Sequence, residues 1–219
     1  MLLLGTTDTL YEGDPSAAVV DGGDVDRVLA DAAVAVDPDV IGRDRIRATY
    51  CGLRVLPLGH GGTVDARRET VYSHGPGAML TVAGGKLTTY RRIALDVLRA
   101  LRAELGLHRV DTHPWPLPGA QGLERVRLPI EVPAALRGHL VDLYGSLAAD
   151  VLEPAVDRPE LLEPIAAGAP DIAAQAVYAA RFEWSTRAED VLRRRTTIAL
   201  RGRATPEVER RVERLLAES

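Results

Sequence analysis

The sequence predicts an α+β chain in two parts: a stretch of mixed strands with one long helix up to about Gly106, then an all-helical region from about Pro129. Three observations carry this. Two short runs rich in β-branched residues, Glu69 to Ser73 and Met79 to Ala83, flank Gly75-Pro76-Gly77, as strands flank a turn. Gly84-Gly85 then opens a helical pattern with Leu87, Tyr90, Ala94, Val97, Leu98, Leu101 and Leu105 on one side, stopped by Gly106. Beyond a Pro- and Gly-rich stretch, Asp111 to Gly122, every periodic segment reads as helix.

Along the chain, Leu2-Leu3-Leu4 reads as the end of a strand running into a polar turn through Thr9, closed by Gly13-Asp14-Pro15. Asp24 to Val36 fits a helix, with Val25, Val28, Leu29, Ala32 and Ala33 on one face. Ile46 to Leu58 looks extended, and Gly59-His60-Gly61-Gly62 is a loop. In the helical region Pro133 opens one helix and Ile172 to Trp184 makes another. Thr186 and Glu189 have the spacing of a capping box for a third, and Thr205-Pro206 starts the last, with threonine as N-cap. These boundaries give residues 1–110, a linker at 111–124, and a helical domain at 125–219. No internal repeat is present.

With 219 residues and 46% hydrophobic content, the chain can bury one large core or two small ones. A net charge of −4 without like-charge blocks excludes a nucleic-acid patch or an anionic-membrane anchor. The apolar runs are too short to span a bilayer, and Met1-Leu2-Leu3-Leu4 lacks the flanks of a signal peptide. One cysteine, Cys51, forbids an internal disulfide and reads as a small buried residue rather than a nucleophile. The five histidines show no metal-ligand spacing, so no metal site is expected. Gly75-Pro76-Gly77-Ala78 is not a dinucleotide fingerprint, and no Gly-x-Ser-x-Gly elbow occurs.

The strongest chemical signal is Val82-Ala83-Gly84-Gly85-Lys86-Leu87-Thr88-Thr89-Tyr90-Arg91. A strand runs into two glycines and then a helix start. The glycines let a ligand approach the backbone, and the first-turn N–H groups point at it. The turn holds no acidic residue and does hold Lys86, against the preference of the helix dipole for anions. Lys86 is the single lysine beside 26 arginines, so it stands where a compact ammonium does what a guanidinium cannot. The expected resident is electron-rich: a phosphate, a carboxylate or the pyrimidine edge of a reduced flavin. The competing reading is a Gly-Gly turn with a solvated lysine. Arg54 and the Arg67-Arg68 pair are either surface charges or donor forks for a phosphate dianion.

Together, Gly5-Thr6-Thr7-Asp8-Thr9 with Gly13-Asp14-Pro15, Tyr50-Cys51-Gly52-Leu53-Arg54, Gly84 to Arg91, Tyr178 to Glu183 and Asp190 to Thr196 resemble the FAD-dependent glycerol-3-phosphate dehydrogenases. The resemblance follows the family's order and covers nearly the whole chain as its C-terminal portion. It implies a residual part of a D-amino-acid-oxidase-like FAD and substrate domain, followed by an all-α C-terminal domain. It implies oxidation of glycerol 3-phosphate at C2 to dihydroxyacetone phosphate, with FAD taking the hydride and a quinone, or oxygen in oxidase relatives, taking the electrons. Arg54 and Arg68 would hold the substrate phosphate. Lys86 and Arg54 would serve the reacting centre. Gly84, Gly85, Lys86, Leu87 and Thr88 would face the flavin. A cytoplasmic location is implied, with peripheral association on the inner membrane face and a homodimer left open. Cys51, Val55 and Arg193 depart from the family's usual serine, proline and tryptophan.

The family's Gly-x-Gly-x-x-Gly strand–turn–helix is absent from this sequence. The chain is therefore expected to be inactive alone, as a truncation, a broken reading frame or one half of a split protein. Two alternatives remain. One is a non-catalytic helical interaction module at 125–219. The other is a piece of another flavoenzyme of the same fold acting on an amino or hydroxy acid.

Overall fold

The computed structural model describes residues 2–54 and 70–218. The chain divides into two units, one of Met1–Asp44 with Tyr50–Pro114, the other of Arg45–Thr49 with Trp115–Ser219. Most regular structure is helical, with one two-stranded sheet.

In the first unit, helix α1 spans Gly22–Ala32. Its start lies two residues ahead of the expected Asp24 because Asp21 caps it. The Asp21 carboxylate accepts from the Asp24 amide at 2.9 Å, and the Asp24 carboxylate accepts from the Asp21 amide at 3.4 Å. Arg43 ties back to this end through Asp26 at 2.6 Å and the Gly22 carbonyl at 2.9 Å. Strands β1, Thr70–His74, and β2, Leu80–Gly84, pair antiparallel with Tyr72 opposite Val82. Gly77 and Ala78 turn the hairpin with φ of 66° and 60°. A tight turn at Leu87–Thr89 leads into helix α2, Tyr90–Ala100.

Three expectations for this unit need correction. The strand at Leu2 to Leu4 does not form, because a strand requires a neighbour for its ladder and none of the described residues pairs with it. Residues 46–54 likewise belong to no strand, and 55–58 lie outside the described residues. The long helix is regular only to Ala100. From Leu101 its carbonyls are used by successive turns, and Gly106, at φ 63°, lets the Leu107 amide reach the Arg102 carbonyl at 3.0 Å.

The second unit is all helical: α3 Ala134–Tyr144, α4 Ala148–Leu152, α5 Pro154–Asp157, α6 Ala173–Phe182, α7 Ala188–Asp190 and α8 Pro206–Ala217. Helix α6 is its centre. Residues Ala173 through Ala179 are all buried, and the four alanines among them let neighbouring helices close in. One side packs with Leu140, Val151, Leu152 and Leu161; the other with Ile165, Val191, Leu192, Ile198 and Val212. The chain enters this unit through a close backbone contact. Gly119, at φ 81°, lies against Gly145, at φ 60°, so a Cβ on Gly145 would collide with the Gly119 carbonyl oxygen. The Ser146 amide donates to that same oxygen at 3.0 Å.

The last helix starts as its sequence signal indicates, with Thr205 Oγ1 accepting from the Val208 amide at 3.3 Å. The capping box expected from Thr186 and Glu189 is displaced by one residue. Asp190 accepts from the amides of both Thr186 and Arg187 at 3.1 Å, whereas Glu189 turns out to Arg193 at 3.0 Å. Asp190 wins because its shorter side chain reaches the free amides of the first turn. Those two bonds hold its carboxyl below the usual carboxylate range. After α7 the chain widens into a π-type turn, Val191–Arg195, in which both the amide and the hydroxyl of Thr196 bond the Val191 carbonyl at 2.9 Å.

Candidate functional site

Every residue of the glycine–lysine segment lies at the junction of β2 and α2. Gly84 and Gly85 have φ of 75° and 81°, two successive left-handed residues that only glycine adopts without strain. They swing the chain from the hairpin into the helix start. Gly85 also has a packing reason: a Cβ there would meet Ile93 Cδ1 at 2.6 Å and Thr70 Oγ1 at 2.8 Å. Its bare face thus lies against α2 and β1, which the sequence reading, with a ligand in mind, did not anticipate.

Lys86 follows in extended conformation, at φ −129° and ψ 147°. Thr89 Oγ1 donates to the Lys86 carbonyl at 2.9 Å and closes the turn. The first turn contains no acidic side chain. Its geometry leaves the amides of Leu87 and Thr88 without a carbonyl partner inside the turn. Leu87 is 87% exposed, and Lys86, Thr88 and Tyr90 are exposed beside it. The helix start therefore stands open rather than packed under neighbours. An electron-rich, partly apolar group fits it: the amides and the ammonium offer positive charge, and Leu87 with Tyr90 offers apolar surface.

Arg54 closes its motif as an ion pair. Its Nη2 donates to Asp8 Oδ2 at 2.6 Å, which joins the Gly5-Thr9 and Tyr50-Arg54 motifs. Cys51 is exposed rather than buried as the sequence suggested, and its Sγ lies 3.5 Å from the Ala18 carbonyl. Arg67 and Arg68 lie outside the described residues. Among the described residues no group of three His, Cys, Asp or Glu side chains could hold a metal ion, and no helix is long and apolar enough to cross a membrane.

Sequence reasoning missed a cluster in the helical unit. The Tyr178 to Glu183 and Asp190 to Thr196 motifs meet where Arg195 donates to the Glu183 carbonyl at 2.9 Å. Arg195 Nε also approaches Glu183 Oε2 at 3.2 Å, without the alignment of a hydrogen bond, and that oxygen is buried. Burial pushes the Glu183 carboxyl up, and Arg195 opposes this. With Leu143, Tyr144 and Arg194, these two residues line a shallow cleft of about 320 Å³. Tyr144 accepts from Gln175 Nε2 at 3.3 Å, and burial pushes its phenol up to about 12. A second buried group, Asp171, is held by His139 Nε2 at 3.2 Å and by the Thr197 hydroxyl at 3.1 Å. No spacing rule links His139, Asp171 and Thr197, so only the fold could reveal that set.

The glycerol-3-phosphate dehydrogenase of Synechocystis sp. is 32% identical over 214 residues, covering 90% of this chain and 38% of that protein. The corresponding protein of Mycobacterium leprae is 32% identical over 208 residues, covering 90% of this chain and 35% of its own length. Glycerol-3-phosphate dehydrogenase 1 of Mycobacterium bovis is 34% identical over 178 residues, with 73% and 32% covered. The chain thus spans well under half the length of these curated relatives. Residues 110–219 match the family described as the C-terminal domain of alpha-glycerophosphate oxidase. The chain belongs to that family, as a C-terminal portion of the glycerol-3-phosphate dehydrogenase kind.

Proposed function

We propose that this chain is the C-terminal portion of an FAD-dependent glycerol-3-phosphate dehydrogenase, and that it needs an upstream nucleotide-binding half to act. In the whole enzyme sn-glycerol 3-phosphate loses a hydride from C2 and a proton from its hydroxyl, giving dihydroxyacetone phosphate. FAD, when bound, supplies the hydride acceptor, and a quinone takes the electrons onward. Residues 1–110 would complete the FAD and substrate domain, and residues 125–219 would form the appended helical domain. The whole enzyme would work in the cytoplasm.

The observation that carries this reading is the open helix start at Lys86, within a chain whose relatives bear that enzyme's name. Its amides at Leu87 and Thr88, with the Lys86 ammonium, would stabilise negative charge that develops on the ring edge they face. Gly84 and Gly85 would set that turn against the ring. Arg54 and Arg68 would fix the substrate phosphate and so orient C2.

The test is to express the chain joined to the upstream half of the Synechocystis dehydrogenase and to assay glycerol 3-phosphate oxidation. Lys86→Met should lower kcat by about tenfold or more, the scale of losing one transition-state charge contact. Arg54→Ala should raise KM for the phosphorylated substrate. An unaltered rate in both would remove the reading. So would a purified 219-residue chain that carries flavin and turns over unaided.

A further inference from the structure

Just past the end of α6, Trp184 stands in the left-handed region at φ 57°, a conformation that strains a bulky aromatic residue. It is also 90% exposed, so the core of the helical unit gives nothing back for that strain. Strained residues persist where a binding or catalytic role holds them. Phe182 is exposed as well, and its ring packs on Tyr178 at 5.0 Å. Tyr178 meets Tyr144 edge-on at 5.6 Å, and Tyr144 lines the cleft of about 320 Å³ together with exposed Leu143 and Glu183. The ends of α3 and α6 thus present aromatic and aliphatic side chains around one cleft. Glu183 Oε2 has no hydrogen-bond partner there, so an incoming donor would complete it.

Two facts decide what covers this surface. Between residues 181 and 195 five arginines face three acids, so a second copy would bring like charges together. The matched region is only 38% of the Synechocystis protein, so most of that polypeptide lies outside this chain and would be tethered to it. We propose that the Phe182–Trp184 end of the helical unit docks on the upstream FAD-binding half, with Trp184 as its anchor. This rests on the reading of the chain as the C-terminal portion of that enzyme. An exposed tryptophan among arginines has the composition of a contact hot spot. With its backbone already held left-handed, Trp184 needs little further ordering when the partner surface arrives. Phe182 and Leu143 add apolar area, and the cleft accepts a side chain or main-chain amide from the opposite surface.

The experiment follows amide exchange by mass spectrometry in the full chain, alone and joined to the upstream half of the Synechocystis dehydrogenase. Joining should slow exchange over residues 181–187 by about tenfold or more. Trp184→Ala and Trp184→Gly, each compared with itself unjoined, should lose most of that slowing, as expected of a hot-spot anchor. Trp184→Gly also removes the backbone strain, so the variant chain alone should melt no lower than the unaltered one. A residue that merely supports the fold would lower both. If the joined protein oxidises glycerol 3-phosphate while residues 181–187 exchange as they do in the chain alone, the docking role falls and the enzyme reading stands. Slowing that survives both Trp184 variants removes the anchor role in the same way. If the joined protein takes up no flavin and is inactive, the enzyme reading falls, and the docking with it. A chain that dimerises by itself, and that Trp184→Ala splits, would give the surface to a second copy and overturn the proposal.

Discussion

The two units differ in what their side chains have to pack against. In the second, α6 is buried along seven consecutive residues, and aliphatic side chains from the segments before and after it close around it. In the first, no described side chain is buried, although α1, α2 and the hairpin are regular. Leu87, Tyr90, Val71, Val82 and Met79 all stand exposed there. An amphipathic helix and a two-stranded sheet draw their stability from an apolar partner surface. The helical unit supplies its own surface. The described part of the first unit does not, and its elements are held by turns, caps and ion pairs.

Amide hydrogen exchange on the full chain gives the largest contrast. Residues 173–179 of α6 should be protected by orders of magnitude more than residues 90–100 of α2, because local opening is cheap where few apolar contacts are lost. Equal protection would break the comparison. Next in size, Leu161→Ala should destabilise the helical unit by about 2–5 kcal/mol, read from urea unfolding, since Leu161 is fully buried. Leu87→Ala in the first unit should change stability by less than about 0.5 kcal/mol. Gly145→Ala places a methyl against the Gly119 carbonyl at positive φ and should cost the helical unit on the order of 1–3 kcal/mol. Thr205→Ala removes the cap of α8, at a cost of about 1 kcal/mol.

The smallest effect is a pH slope. Glu183 has its carboxyl raised by burial, so the folded state holds that proton more tightly than the unfolded chain. Its stabilising contribution is full below the unfolded carboxylate range and is lost as pH rises through the folded value. Glu183→Gln should therefore flatten the melting temperature of the helical unit between acid and neutral pH, and raise it at pH 7. A variant that melts lower at pH 7, with the slope kept, would assign that slope to another group.

Local rules read well where a segment's geometry is decided within a few residues. The hairpin around Gly75-Pro76-Gly77, the turn at Gly84-Gly85 and the Thr205 cap all followed from residue type and spacing. They failed where distant partners decide. Leu2 to Leu4 has strand composition, yet no ladder partner among the described residues. A local failure also occurs where two adjacent acids compete: Glu189 has capping-box spacing, and its neighbour Asp190 takes the amides. The candidate site was legible as an open, glycine-preceded helix start, but the pairing of Asp8 with Arg54 was not, because nothing local connects the two. The Glu183–Arg195 cluster was invisible for the same reason: its two motifs were recognised singly, and only the π-type turn brings them together.

The contact between Gly119 and Gly145 also decides where this protein can be cut. Composition places the flexible joint at 111–124, and a protease site or fusion point inserted after Gly122 would look harmless. Such a cut would strip Gly119 from the end of α3 and deprive the Ser146 amide of its acceptor. A helical domain intended for separate expression should keep everything from Trp115 onward.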